Sequence, residues 1–156
     1  MLSHANAFAV CPSPRNKADD LIRAVADKGG LIRAVMCSPE VEHAMRPDLD
    51  DYLDQMDHMV KVDGIDHVGF ASDVTEGHPQ DQDKWEKSFG PRGLYLNITG
   101  ILGPWYEWET RLNLDYASLT HTPRIAGGLQ RRGCKTGEIE KIMSGNCLRV
   151  LDAVWG

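Results

Sequence analysis

What the sequence lacks excludes several large classes of protein. Basic residues number 17 against 23 acidic ones, so the formal charge of −6 has the wrong sign for a surface that must neutralise nucleic-acid phosphates. No apolar run approaches the ~20 residues of a membrane-spanning helix. Residues 1–4 also lack the charged start and apolar centre of a signal peptide. The sequence therefore predicts a soluble, cytoplasmic protein that has no membrane-spanning segment and does not bind nucleic acid.

Short catalytic and metal-binding motifs are missing as well. The four cysteines include no Cys-x-x-Cys pair, and no two of the six histidines form His-x-His or His-Glu-x-x-His. Gly-x-Ser-x-Gly and phosphate-cradling glycine loops are absent, which argues against a serine hydrolase of the usual type and against nucleotide binding. Buried free thiols are the simpler interpretation of the cysteines.

Residues 1–73 show the alternation of strands and helices that is typical of a parallel sheet. The predicted elements are a strand ending at His4, a helix capped by Asn16 and ended by Gly29 and Gly30, a buried strand at 31–36, an amphipathic helix from Pro47 to Gly64, and a strand at 67–72. Glycine after a helix, and proline in its first turn, are common boundary signals. This part of the chain therefore predicts a βαβαβ unit of the α/β class.

The rest of the chain has a different pattern. Residues 74–121 have no sustained period and contain the aromatic cluster at 105–108, so they predict a long insertion or lid. Residues 122–156 predict C-terminal helices, with Thr122 and Asn146 as caps and an interruption at Gly145. The whole chain, 1–156, is thus expected to form one partial unit, because 156 residues fall short of the ~250 of a closed (β/α)8 barrel.

Three polar residues are the candidates for chemistry. His4 and Asp73 follow predicted strands, and ligands of parallel sheets gather at the carboxyl ends of strands. His4 is either a metal ligand or general base, or else an ordinary hydrogen-bonded histidine. Spacing alone favours the ordinary histidine. Asp73 is either a catalytic carboxylate or an acceptor of backbone N–H groups where a loop starts. Arg15 is either a bidentate carboxylate binder or an exposed, solvated side chain.

Three stretches together resemble the membrane (renal) dipeptidase family: Ser-His-Ala-Asn-Ala at 3–7 with Pro-Arg-Asn at 14–16, the run 64–73 ending in Ala-Ser-Asp, and the run 142–151. The resemblance implies a TIM-type (β/α)8 barrel that carries two zinc ions and hydrolyses dipeptides, with this chain as its C-terminal portion of about three parallel strands plus helices. It implies that His4 is a ligand of the second zinc. Arg15 would bind the terminal carboxylate of the substrate, and Asp73 would be the catalytic carboxylate near the bridging water.

The departures from the family also lead to predictions. The family's His-x-Asp pair, its zinc-bridging glutamate and another zinc-binding histidine would all precede Met1. Because a catalytic zinc ordinarily has three protein ligands, His4 alone cannot hold it. We therefore expect a zinc metallodipeptidase fragment that is inactive alone and that either forms a homo-oligomer or pairs with a missing N-terminal barrel half. Differences at 36–38 and 73–77 predict an altered pocket. The alternatives are a non-catalytic half-barrel interaction module and another metal-dependent amidohydrolase.

Overall fold

The computed structural model describes residues 1–41, 46–74, 81–102, 106–111 and 113–156. Its helices and strands are α1 (Asp19–Ala26), β1 (Ile32–Val35), α2 (Ser38–Val41), α3 (Leu49–Asp63), β2 (Val68–Ala71), α4 (Gln82–Phe89), α5 (Leu96–Leu102), α6 (Thr122–Arg131), α7 (Thr136–Glu140) and α8 (Asn146–Trp155). A π-helical turn, Lys141–Gly145, joins α7 to α8. Among these described helices, none has the length and apolar character needed to cross a membrane.

The sheet is small and parallel, as the alternating pattern predicts. β1 and β2 pair in parallel with Ile32 opposite Val68. The predicted first strand is reduced to an isolated parallel bridge between Leu2 and Ile32, closed by the Arg33 N–H donating to the Leu2 carbonyl at 3.1 Å. Because all three segments run in the same direction, their carboxyl ends lie at one edge of the sheet.

Helix α3 supplies much of the core against this sheet. The side chains of Tyr52, Leu53 and Met56 are fully buried, and the Tyr52 hydroxyl donates to the Ala34 carbonyl of β1 at 2.8 Å. The helix begins two residues later than the proline signal suggests, because Asp48 caps it by accepting the N–H groups of two first-turn residues. Gly64, at φ 80°, ends it where the sequence predicts.

Three predicted helix caps have other roles. Asn16 is buried, and α1 starts after Ala18 without a side-chain cap. Thr122 is the first residue of α6, with its hydroxyl donating to the Leu119 carbonyl at 2.6 Å. Asn146 has helical backbone angles and follows directly on the π-turn that ends at Gly145, so it caps no separate helix. The amides of these two asparagines donate instead to buried carbonyl groups elsewhere in the fold. These tertiary hydrogen bonds take the place of local helix capping.

Hydrogen bonds from the start of α8 connect the C-terminal helices to the residues around the start of β2 and after the end of α1. The Asn146 amide donates to the carbonyls of Ile65 and Val68 at 2.7 and 2.8 Å. The Arg149 guanidinium donates to the Gly29 and Asp66 carbonyls at 3.0 and 2.8 Å. The entry into β2 and the end of α1 are thus both bonded to one turn of α8.

The described part of residues 74–121 contains two α-helices, α4 and α5, that the sequence periodicity does not indicate. The side chains of Trp85 and Phe89 in α4 pack with Tyr95, Tyr106 and Trp108, with ring centroids 5.4 to 6.1 Å apart. The Arg111 guanidinium lies over the Trp108 ring at 3.4 Å from its centroid. Trp105, singled out with this cluster in the sequence, lies outside the described residues.

Candidate functional site

The carboxyl ends of the strands converge on one buried acidic side chain, Glu40 of α2. Its side chain is 1% exposed. Burial raises the pKa of the Glu40 carboxyl, Arg15 acts against this rise, and Asp73 adds to it, while the charge of His4 lowers it slightly. His4, Arg15 and Asp73 therefore lie close enough to Glu40 to influence the same carboxyl group, and the structure brings the three predicted residues to one edge of the sheet.

Arg15 forms the direct contact with Glu40. Its Nε lies 3.1 Å from the Glu40 Oε1, and its side chain remains 34% exposed. Neither Glu40 carboxylate oxygen has a hydrogen bond of good geometry from the described residues, so the ion pair is the main compensation for this buried charge. No sequence pattern indicates the burial of Glu40, because a glutamate just beyond a strand is ordinarily exposed.

Three buried amide side chains, Asn6, Asn16 and Gln55, hold the backbone of this region, and we call them the amide cluster. All three donate to the Glu40 carbonyl oxygen, at 3.0, 2.7 and 3.4 Å. The cluster therefore joins the loop after His4, the residue after Arg15, and helix α3 at a single acceptor. Pattern analysis missed this role, since it treats an asparagine near a helix start as a cap.

Each member of the amide cluster also has a second partner. Asn6 exchanges two hydrogen bonds of 2.9 Å with the backbone of Val35, at the end of β1. The Asn16 amide donates to the Cys11 carbonyl at 2.9 Å. Gln55 accepts the Ala7 N–H at 2.9 Å and donates to a carbonyl of α2 at 2.8 Å. Apart from the buried Asn16 Oδ1, which accepts no hydrogen bond from the described residues, the cluster is paired and holds the backbone beneath the site at several points.

The His4 and Asp73 side chains are exposed at this edge. The Nδ1 atom of His4 is hydrogen-bonded to the Ser3 hydroxyl at 2.8 Å, which would leave Nε2 as the metal-ligating atom. Asp73 has φ 52° and is the one described residue other than glycine with a positive φ. This left-handed conformation costs roughly 1–2 kcal/mol for a residue with a side chain, and such strain is often found at functional sites.

Cys37 and Tyr106 are two further residues of the candidate site. Burial raises the pKa of the Cys37 thiol well above its ordinary value, and the charges of Glu40 and Asp73 raise it further. The thiol is therefore neutral and unsuited to act as a nucleophile. Burial also raises the pKa of the Tyr106 phenol, and the influence of Cys37 and Asp73 places this aromatic ring near the strand ends. Sequence analysis did not single out Tyr106 for the site.

The residues that the structure describes do not assemble a metal centre. No group of three or more histidine, cysteine, aspartate or glutamate side chains among them is arranged to hold a metal ion. His4 offers one imidazole, whereas a catalytic zinc ordinarily needs three protein ligands. His43 and His78 lie outside the described residues. The described residues thus do not fit a two-zinc centre by themselves.

Comparison with known proteins gives this geometry its context. The sequence profile of the membrane dipeptidase family, peptidase family M19, matches residues 1–95, more than half of the chain. The chain belongs to the membrane dipeptidase family. The resemblance carried by the strand-end motifs is thereby confirmed.

Relatives in this comparison are longer than the chain. An uncharacterized protein from the pqqA 5′ region of Klebsiella pneumoniae is 28% identical over 157 residues, which cover 98% of this chain and 46% of the relative. Dipeptidase aclJ of Aspergillus oryzae is 27% identical, over 99% of this chain and 29% of the relative. The chain therefore spans less than half the length of either protein.

Solved structures share the fold over nearly the whole chain. An amidohydrolase from Pseudomonas aeruginosa superposes with a TM-score of 0.78 at 25% identity, covering 98% of this chain and 45% of that protein. A metallo peptidase from Rhodobacter sphaeroides, liganded with a phosphinate mimic of the dipeptide L-Ala-D-Ala, has a TM-score of 0.70 at 19% identity, covering 97% and 35%. The likeness to the Rhodobacter sphaeroides peptidase shows a shared fold alone.

Proposed function

We propose that this chain is part of a metal-dependent dipeptidase and that its strand-end site binds the terminal carboxylate of the substrate. The observation that carries the proposal is the Arg15 guanidinium, which is partly exposed and held at 3.1 Å from a buried carboxylate at the edge where the strands end. A planar guanidinium matches a planar carboxylate through two parallel N–H···O bonds. Family membership supports a peptide substrate.

Asp73 is the proposed catalytic residue. Its carboxylate is exposed at the rim and lies near enough to the Arg15 and Glu40 pair to influence the Glu40 pKa. A carboxylate in this position can take a proton from the attacking water and deliver it to the amine that leaves when the peptide bond breaks. The products are then two free amino acids, and the carboxylate returns to its starting state.

The eight-stranded barrel and its two zinc ions belong to the same proposal, with His4 as one ligand. Because the described residues supply no further grouped ligands, we assign no step of the reaction to zinc here. We propose that the purified 156-residue chain does not hydrolyse dipeptides alone. The remaining ligands would come from an N-terminal barrel half.

Binding of a dipeptide and of its C-terminal amide tests the carboxylate site directly. In calorimetric titrations, L-alanyl-D-alanine should bind the chain at least about tenfold more tightly than L-alanyl-D-alaninamide, since a charge-assisted hydrogen bond contributes ~1.5–3 kcal/mol. Arg15→Gln should abolish this preference and Arg15→Lys should retain part of it. Arg92→Gln, at an exposed arginine on the loop between α4 and α5, is the matched control. Equal affinity for the two ligands would refute the proposed site.

A second candidate is another metal-dependent amidohydrolase, which the TM-score of 0.78 to the Pseudomonas aeruginosa amidohydrolase supports. Hydrolysis assays with added zinc distinguish the two candidates. Turnover of dipeptides at ordinary enzyme rates by the chain alone would overturn its proposed inactivity. Turnover of cyclic amides without dipeptides would favour the second candidate. A stable oligomer with neither zinc nor ligand binding would support a non-catalytic module.

A further inference from the structure

The most unusual buried group of the molecule is the Glu40 carboxylate, and the proposed reaction does not use it. The side chain is 1% exposed, and its charge faces the Arg15 Nε at 3.1 Å. Replacement of a buried ion pair by apolar side chains is often neutral or stabilising, so such a pair is weak evidence for a role in stability alone. A role in orienting Arg15 accounts for the contact better.

The backbone of Glu40 is fixed from several directions before its side chain makes any contact. Its carbonyl oxygen accepts all three donors of the amide cluster. One of these donors is Asn16, the residue directly after Arg15, at 2.7 Å. The carbonyl of Glu40 therefore holds residue 16 while its carboxylate holds residue 15, so the position of Arg15 is fixed at both the main chain and the side chain.

The atom that Glu40 contacts determines what remains available on Arg15. A guanidinium carries five N–H groups in one plane, one of them on Nε and four on the two Nη atoms. An acceptor that faces Nε leaves the edge formed by the two Nη atoms for a second carboxylate. The Arg15 side chain is 34% exposed, so this second edge need not be enclosed by the protein.

We propose that Glu40 is a positioning residue, which holds the Arg15 Nε so that the two Nη atoms face the terminal carboxylate of the substrate. The inference rests on the proposed function, since it requires Arg15 to bind that carboxylate. Ordering the guanidinium in advance removes part of the conformational cost of binding. The essential feature of Glu40 is then its buried carboxylate, which lies 3.1 Å from Nε.

Two substitutions separate positioning from a merely structural role. Glu40→Met keeps the length of the side chain and removes the acceptor, and it should lower the preference for L-alanyl-D-alanine over its amide by about three- to tenfold. Glu40→Gln keeps the shape of the side chain and an oxygen beside Nε but removes the charge of the ion pair, and it should lower the preference less than Glu40→Met does. If Arg15→Gln abolishes the preference while Glu40→Met leaves it intact, only the positioning role is overturned. If Arg15→Gln has no effect either, the proposed carboxylate site itself fails.

A spectroscopic measurement on the unmodified chain covers the case in which Glu40→Met does not fold. The Arg15 Nε signal in ¹H–¹⁵N spectra, assigned by its loss in Arg15→Lys, reports the charge that lies 3.1 Å from it. Addition of L-alanyl-D-alanine should shift the Nη signals more than the Nε signal. A larger shift at Nε than at the Nη atoms would mean that the substrate displaces Glu40, and it would overturn the proposal.

Discussion

Replacement of Asn6 by alanine should be among the most destabilising single changes near the site. The side chain is fully buried and forms three hydrogen bonds, two with the Val35 backbone and one to the Glu40 carbonyl. In Asn6→Ala the Glu40 carbonyl keeps two other donors. The Val35 N–H and carbonyl lose these side-chain partners at the end of β1.

The magnitude follows from this count of bonds. A buried hydrogen bond contributes about 1 kcal/mol net, and a buried group left unpaired costs ~1–3 kcal/mol. We therefore expect Asn6→Ala to lower the free energy of unfolding by about 3 kcal/mol, a large share of the ~5–15 kcal/mol of an ordinary domain. Asn6→Asp keeps the acceptor for the Val35 N–H but places a carboxyl oxygen against two carbonyl oxygens. Burial and these oxygens should raise the pKa of the introduced carboxyl, so its destabilising effect should grow as the pH rises above about 4.

Urea unfolding followed by circular dichroism measures both variants. The slope with denaturant should stay constant, so that a shifted midpoint reports stability. Asn97→Ala, at an exposed asparagine of α5, is the matched control and should change stability by less than about 0.5 kcal/mol. A loss below about 1 kcal/mol for Asn6→Ala, or an effect of Asn6→Asp that does not change with pH, would refute the reasoning.

Three further predictions concern other parts of the chain. Gly64→Ala should cost roughly 1–3 kcal/mol in urea unfolding because φ is 80° and ψ 161°, whereas Gly100→Ala in α5, without a positive φ, should not destabilise. Arg132→Ala, which removes contacts of 2.5 to 3.2 Å to three aspartates of α3, should cost about 1 kcal/mol at low salt and less at high salt, with the exposed Arg131→Ala as control. Burial raises the pKa of the Glu40 carboxyl, so the contribution of this group to the free energy of unfolding is smallest at pH values above that raised pKa. The stability of the unmodified chain relative to Glu40→Gln should therefore fall as the pH rises from about 4, and a constant difference would contradict this assignment.

The sequence predicts the elements that local chemistry defines. β1, α3 and β2 follow from apolar periodicity, and Gly64 marks a helix end because only glycine adopts its backbone angles without strain. The placement of His4 and Asp73 at one edge could be predicted because parallel strands present their carboxyl ends together, whereas Arg15 lies in a loop and its position depends on Glu40. The roles of these three residues in chemistry stay predictions.

The features that the sequence does not predict are those that depend on distant partners. Asn16 has the local surroundings of a cap, yet its amide binds the Glu40 carbonyl 24 residues away. Glu40 is a charge whose burial depends on Arg15 and on the amide cluster, and no periodicity records such an arrangement. The bridge at Leu2 replaces a full strand because pairing depends on neighbouring backbone and not on apolar composition.

The bonds made by the start of α8 have a consequence for the order in which the molecule assembles during synthesis. Asn146 and Arg149 bond to carbonyls at Gly29, Ile65, Asp66 and Val68, across 78 to 120 positions of sequence. A ribosome has therefore made the whole sheet well before these donors emerge. Contacts between residues so far apart in the sequence slow folding. The entry to β2 therefore lacks these hydrogen bonds until α8 has been synthesised.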